Sequence, residues 1–462
     1  MKGSARVGGE HFTFGALAEI LAKANEPKSG DVLAGIAAAS GAERMAAKLV
    51  LADVRLSEIV DEPLVDDEVT TAILSRLDRE RFDTTLGGLT VGEFRERVLS
   101  PGFASEWPGL RGLVTPEIAA ATAKLMSNLD LVRATVALQV ETTCRTTVGQ
   151  PGVLAARLQP NHPTDDPAGI AYSIFDGLSH ACGDALLGVN PAVESVESVV
   201  AILRMLDAFI DELAIPTQGC VLAHVTTQLA AIERGARADL LFQSVAGTAA
   251  ANRAFGVDLA LLMEAADAVR AQHEADPGRY AGRHAMYFET GQGSALSSDA
   301  HHGIDQLTCE ARAQGFARLF DPFLINSVVG FIGPEYLADA EQITRAGLED
   351  HFVGKVMGLP MGADVCFTNH VAADHNSNDS ALLLLALAGC TFVMGVPAGD
   401  DVMLGYQSTS YHDVATTREV LGRRPAPEFD AWHRRTFGTR SAQEAAVPAA
   451  IGRRIGDLVA GR

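Results

Sequence analysis

The rhythm of apolar and polar positions changes near residue 150. Before it, apolar residues recur at helical spacing in alanine-rich stretches, as over 14–25 and 41–51. Ser29-Gly30-Asp31 reads as a turn and helix start between those two, and Thr90 followed by Glu93 is a capping-box pattern. After residue 150, short runs rich in branched residues recur, each followed by a polar tip and a helical pattern. The runs are 153–158, 185–189, 219–223, 240–242, 285–288, 323–329, 362–367 and 391–396. The helical patterns fall at 169–182, 191–213, 225–234, 250–273, 297–316, 335–353, 379–388 and 408–421. Eight strand-then-helix units predict an α/β chain built as a closed parallel (β/α)8 TIM barrel. The expected organisation is a mostly helical region over 1–150, the barrel over 151–421, and an extension over 422–462. An open doubly wound sheet is the competing architecture, but no G-x-G-x-x-G follows the first strand.

The apolar run at 381–397 falls short of the roughly 20 residues that cross a bilayer, and Gly389 breaks it. It reads as a buried helix, a glycine stop and a buried strand. The 462 residues suit a barrel of about 250 plus an extension. The net charge of −21 disfavours nucleic acid and anionic membranes. It suits a small cationic ligand, and it equally serves solubility alone. Six cysteines form no C-x-x-C pair, which removes zinc-ribbon and thioredoxin readings. Scattered single cysteines and an opening Met1-Lys2-Gly3-Ser4 without an apolar core lead to an expectation of a reducing cytoplasm.

Barrel active sites collect at the carboxyl ends of the strands, so the tips carry the candidate chemistry. Arg157 and Gln159 stand two apart at the first tip and share a face. The second tip carries Asn190-Pro191, the fourth Gln243-Ser244 and the fifth Tyr287-Phe288-Glu289-Thr290-Gly291-Gln292-Gly293-Ser294. Asn326 to Phe331 form the sixth, Asp364 stands in the seventh, and the eighth leads to Asp400-Asp401-Val402-Met403-Leu404. One mouth then holds one arginine, two carboxylates, several amides and apolar groups. Arg157 can neutralise one carboxylate, and a cationic ligand would balance the other. At about 4 Å and an effective dielectric near 20, such a contact is worth roughly 4 kcal/mol before desolvation. The residues point to a small amine with a polar handle. They equally allow Arg157 to be a plain barrel salt bridge to Glu289 or Asp364. Asn190-Pro191 also reads as a turn, Asp400 and Asp401 as loop acids, and the glycine-rich stretch as a helix start.

No metal site emerges. His370 and His375 are five apart rather than four, and His301-His302 lie on adjacent positions of an expected helix. His224 ends the third run and reads as a satisfied core histidine.

The stretches SGDVLAGIAAAS (29–40), ARLQPN (156–161), GDALLGVNP (183–191), IPTQGCVLAHVTTQ (215–228) and YFETGQGSALS (287–297) resemble ethanolamine ammonia-lyase large subunits. So do VVGFIGPEYL (328–337), ITRAGLEDHF (343–352) and MGADVCFTNH (361–370), and the resemblance runs from about residue 10 to about 430. It implies a catalytic subunit that deaminates ethanolamine to acetaldehyde and ammonia by adenosylcobalamin radical chemistry. Under it, Arg157, Gln159, Asn190, Glu289 and Asp364 fall on substrate positions, with Arg157, Glu289 and Asp364 as the catalytic group. Pro191, Gln243, Ser297 and Met403 fall on cobalamin-contact positions, and Val328, Phe331 and Leu404 on the apolar pocket. A separate small subunit would complete a hetero-oligomer, free in the cytoplasm or inside a bacterial microcompartment. With no D-x-H-x-x-G motif in the chain, the cofactor is expected to keep its own axial base. The competing readings are a cobalamin-dependent barrel lyase acting on a related amino alcohol or a diol, and a non-catalytic scaffold subunit.

Overall fold

The computed structural model describes residues 2–438 and Asp457. All eight expected strands are present. They are β1 (Ala155–Leu158), β2 (Leu186–Val189), β3 (Gly219–Val221), β4 (Leu241–Ser244), β5 (Met286–Thr290), β6 (Leu324–Val328), β7 (Met361–Asp364) and β8 (Phe392–Gly395). They form one sheet in the order β3-β2-β1-β8-β7-β6-β5-β4, every neighbouring pair parallel. Because β1 pairs with β8, the sheet curls into a nearly closed barrel. Most strand residues are buried on both faces, which explains their unbroken apolar character.

The seam lies between β3 and β4. One backbone bond crosses it, from Leu240 N–H to Gly219 O at 3.3 Å. The buried amide of Gln228 stands in for the missing ladder. Its Nε2 donates to Ala223 O at 2.6 Å and Phe242 O at 2.7 Å, and its Oε1 accepts from Phe242 N–H at 3.1 Å.

The outer helices follow the expected alternation, with differences that local chemistry explains. The segment expected as one helix over 250–273 is two, Ala249–Ala254 and Leu259–Ala275, broken at Gly256, whose φ of +77 lies in the left-handed region. The segment over 297–316 is also two, Ser294–Ser297 and Gln306–Ala317. Asp299 and His302 take left-handed φ between them, so His301 and His302 lie in a loop rather than on a helix. The helix expected from 191 begins at Val196, after Ser195 accepts the Ser198 N–H as its cap. The apolar run resolves as read: helix His375–Leu387, Gly389 at φ +84, then β8. Among the described residues no helix is long and apolar enough to cross a membrane.

The N-terminal region is helical, but a hairpin precedes it. Gly3–Val7 pairs antiparallel with Glu10–Phe14 through Gly8-Gly9, both at positive φ. The first helix therefore starts at Leu17, and Phe14 ends a strand. Beyond the barrel, helix Pro427–Phe437 buries Phe429, Trp432 and Phe437. The expected extension otherwise lies outside the described residues from 439 on, Asp457 apart.

Buried ion pairs fasten the N-terminal layer to the barrel. Every residue of Gln306–Ala317 is buried, charged ones included. Arg312 reaches Glu117 at 2.6 Å and Asp67 at 3.3 Å, and Lys124 reaches Asp305 at 2.9 Å. Glu349 takes Lys28 at 2.7 Å and Arg345 at 2.7 Å, and neither Lys28 nor Glu349 is exposed to solvent. Burial alone would raise the Glu349 carboxyl, but Lys28 and Arg345 outweigh it and hold it at about 2. Removing one member of such a group leaves charges stranded.

We therefore expect Glu349→Ala to lower unfolding stability by about 3–5 kcal/mol in urea titrations at pH 7. A carboxyl depressed in the fold contributes stability above its unfolded value near 4.3, and that contribution fades as pH falls through about 2. The mutant's deficit should stay level down to about pH 5 and narrow below it. A deficit independent of pH across that window would contradict the pairing.

Candidate active site at the barrel mouth

The polar strand tips converge. Arg157 on β1 is 1% exposed and sits under the mouth rather than in it. One guanidinium nitrogen donates to Tyr287 Oη at 2.6 Å and to Glu289 Oε1, the other to Gln159 Oε1 and to Asn190 Oδ1 at 3.3 Å. Its Cζ lies 5.4 Å from the Tyr287 ring centre. Burial opposes the charge, yet Tyr287, Glu289, Tyr406 and Asp364 outweigh it, and the guanidinium stays protonated. The salt-bridge reading of Arg157 is thus realised with Glu289, and Arg157 orients the residues that face the cavity.

Glu289 is held by one oxygen. Its Oε1 accepts from Arg157, from Tyr287 O–H at 2.8 Å and from Asn326 Nδ2 at 3.1 Å. Its Oε2 has no partner among the described residues and borders a cavity of about 450 Å³. Asp364, 1% exposed, accepts from Ser408 Oγ and from Tyr406 O–H at 3.1 Å. Burial lifts its carboxyl to about 7, against the opposing pull of Ser408 and Arg157. Gln159 Nε2 donates to Asp401 at 2.7 Å and to Tyr406 Oη at 2.9 Å. Asp401 also accepts from Asn161 at 2.8 Å and from the Met403 and Leu404 N–H groups, so it organises the loop after β8. That is the loop-acid role expected for it.

The cavity brings together Gln159, Asn190, Glu289, Ser297 and Asp364 with Val328, Phe331 and Leu404. Phe242, Phe255 and Met394 add further apolar wall. Gly293 at φ +97 starts the short helix Ser294–Ser297 that presents Ser297, confirming the helix-start reading of the glycine-rich stretch. Three expected contacts do not border the cavity. Pro191 and Met403 are partly exposed on its flanking loops. Gln243 is 4% exposed and turned into the wall, accepting from Val225 N–H at 2.9 Å and donating to Ser244 O at 3.1 Å. His224 caps helix Val225–Glu233 and is satisfied by Thr226 and Phe255 O. Among the described residues no group of His, Cys, Asp and Glu side chains could hold a metal ion.

Tyr287 and Asn326 stood on the strand tips without an assigned role, and Tyr406 and Ser408 were not singled out from the sequence. Tyr287 was within reach, because it stands two before Glu289 and shares its face. Tyr406 and Ser408 lie in and beside a small sheet of Phe367–Thr368, Asp400–Asp401 and Tyr406–Gln407, where no strand pattern marked them.

The family model for the ethanolamine ammonia lyase large subunit matches residues 12–445. The chain belongs to that family. It is 49% identical over 427 residues to the ethanolamine ammonia-lyase large subunit of Escherichia coli (strain K12), which covers 92% of this chain and 93% of the relative. The large subunit of Salmonella typhimurium (strain LT2) is 48% identical over the same 427 residues, with the same coverage. The motifs that carry the resemblance in the sequence include the tips that meet at the mouth.

A primary ammonium ion seated against Asp364 would favour the carboxylate and lower its pKa. Below about pH 7 the free site holds a proton there, and binding must expel it. Titration calorimetry with ethanolamine in buffers of different ionisation enthalpy should show proton release at pH 6 that vanishes by pH 8.5. A binding enthalpy that is independent of buffer at pH 6 would contradict the assignment.

Proposed function

We propose that this chain is the catalytic subunit of an enzyme that deaminates ethanolamine to acetaldehyde and ammonia. One observation carries the reading: Glu289, with its Oε2 free, and Asp364 border one cavity, while the Arg157 guanidinium is consumed by Glu289 Oε1 from behind. With Arg157 spent on Glu289, the Asp364 carboxyl is left to balance a cation, which favours its ionised form on binding. Glu289, Asp364 and Gln159 hold the ammonium end. Asn190, with Glu289, holds the hydroxyl, and Arg157 polarises both from behind without touching the cavity.

The residues also fit adenosylcobalamin. The cavity is too small to enclose a corrin, so the cofactor would cover the mouth. Loops after β2, β6 and β8 present exposed Val193 (64%), Phe331 (40%) and Val402 (69%), with Pro191 and Met403 beside the first and last. Such an apolar rim suits a large flat group or a subunit that seals it. Ser297, on the cavity edge, would meet the adenosyl end. Bound adenosylcobalamin supplies the hydrogen-abstracting radical chemistry, and the protein's part is placement and exclusion of water. Val328, Phe331 and Leu404 line the cavity with side chains that hold no water by hydrogen bonds. Tyr287 and Tyr406 have pKa values pushed up by burial and stay protonated, so both keep donating to the two carboxyls. Glu289 and Asp364, on one cavity, would hold the substrate nitrogen from two sides. A small subunit, named by implication in the large-subunit relatives, completes the enzyme.

The reading is tested by assay with the small subunit and adenosylcobalamin present. Ethanolamine should yield acetaldehyde and ammonia, while 1,2-propanediol, which carries no positive charge, should not turn over. Aldehyde from the diol alone, or none from either, would overturn it. Glu289→Gln should lower kcat/KM by at least about 100-fold, because it removes the charge that meets the ammonium. Near wild-type turnover in that variant would remove Glu289 from the site.

A further inference from the structure

Behind β5 and β6, on the side away from the cavity, lies a second pair of acids that the proposed reaction does not use. Strand geometry relates it to the site. Glu289 and Asn326 face each other across β5 and β6, and so do the next residues, Thr290 and Ser327. Successive side chains on a strand point to opposite faces. While Glu289 and Asn326 meet on the barrel side, the Thr290 hydroxyl donates to Glu310 Oε1 and the Ser327 hydroxyl to Asp350 Oδ2 at 2.6 Å. Glu310 belongs to helix Gln306–Ala317 and Asp350 to helix Ala340–Val356.

The two acids are joined. Gln314 Nε2 donates to Glu310 Oε1 at 2.9 Å and to the Asp350 carbonyl at 3.1 Å. Gln292, in the turn after β5, donates to Asp350 Oδ1 at 2.7 Å. Glu310 and Asp350 are at most 2% exposed, and among the described residues no arginine or lysine forms an ion pair with either. Ion pairing stops one residue short, at Glu349. Burial raises both carboxyls above the usual range, and Glu310 raises Asp350 further. A purely structural need to fasten a helix to a strand would be met by apolar packing at lower desolvation penalty. What two hydroxyl-to-carboxyl bonds add is direction: they fix the rotation and height of each strand end.

We propose that Glu310 and Asp350 are positioning residues for the proposed deamination, acting through Thr290 and Ser327 to set the Glu289 carboxylate and its Asn326 partner. Asn326 is wholly buried; among the described residues its Oδ1 has no partner, and its Nδ2 donates to Glu289. A shift at Ser327 moves Asn326 directly, and with it one of the three donors on Glu289 Oε1.

The inference rests on the ethanolamine reading, and its test separates the two. Ser327→Ala and Glu310→Leu remove a bond; Ser327→Thr and Glu310→Gln keep a donor or an acceptor in place. In the assembled enzyme, the first two should lower kcat on the order of 10- to 100-fold, the loss expected when a buried polar partner is stranded. KM should change less than kcat, and the conservative variants should recover most of the loss. Equal losses in both members of each set, tracking their unfolding midpoints, would show a merely structural role and overturn the proposal. Should the wild-type enzyme not act on ethanolamine, crystal structures still decide. The Ser327→Ala structure should show the Glu289 carboxylate rotated away from Asn326, and an unmoved Glu289 would refute the positioning role.

Discussion

A guanidinium buried in the wall of a barrel must be neutralised, and that constraint organises this protein. Arg157 has almost no access to water, so β1 can hold it only if β2 and β5 supply Asn190, Tyr287 and Glu289 around it. The neutralisation is one-sided. It occupies one oxygen of Glu289 and leaves the other at the cavity with its orientation already fixed. A carboxylate held in place by three donors needs no rearrangement when a cation arrives, which is how preorganised sites gain their advantage.

The same logic runs outward in shells. Asp364 is the counterpart of Glu289, but among the described residues it forms no ion pair, and Tyr406 and Ser408 donate to it. Its carboxyl is therefore poised near neutrality, whereas Glu349, clasped by Lys28 and Arg345, stays ionised far into acid. Environment divides chemically identical side chains into a ligand-responsive group and a structural one. The N-terminal layer belongs to this scheme, because Lys28, Glu117 and Lys124 supply the countercharges that let charged barrel helices be buried.

Much of this was legible in the sequence. Eight apolar runs ending in polar tips gave the barrel, and the two-residue spacing of Arg157 and Gln159 placed both on one face. The tips also nominated Asn190, Glu289 and Asp364, which the fold brings together. What stayed hidden was contact between segments far apart. No local pattern links Tyr406 or Ser408 to Asp364, forty-odd positions away, since their bonds depend on how the loop after β8 folds back. The hairpin at Gly3–Val7 was obscured because its alternation is mostly polar and weak beside the alanine-rich helices that follow. Gln243 adds a second contact between separate segments, since its bond to the Val225 N–H joins the β4 tip to the helix after β3.

The central claim is that Glu289 and Asp364 together receive an ammonium ion in the barrel mouth. A crystal structure of the assembled enzyme with ethanolamine bound addresses it most directly. The account requires the ligand nitrogen within about 2.7–3.2 Å of Glu289 Oε2 and of an Asp364 oxygen. Ethanolamine lying in the mouth with its hydroxyl on those carboxyls and its nitrogen elsewhere, or lying outside the mouth altogether, would contradict it.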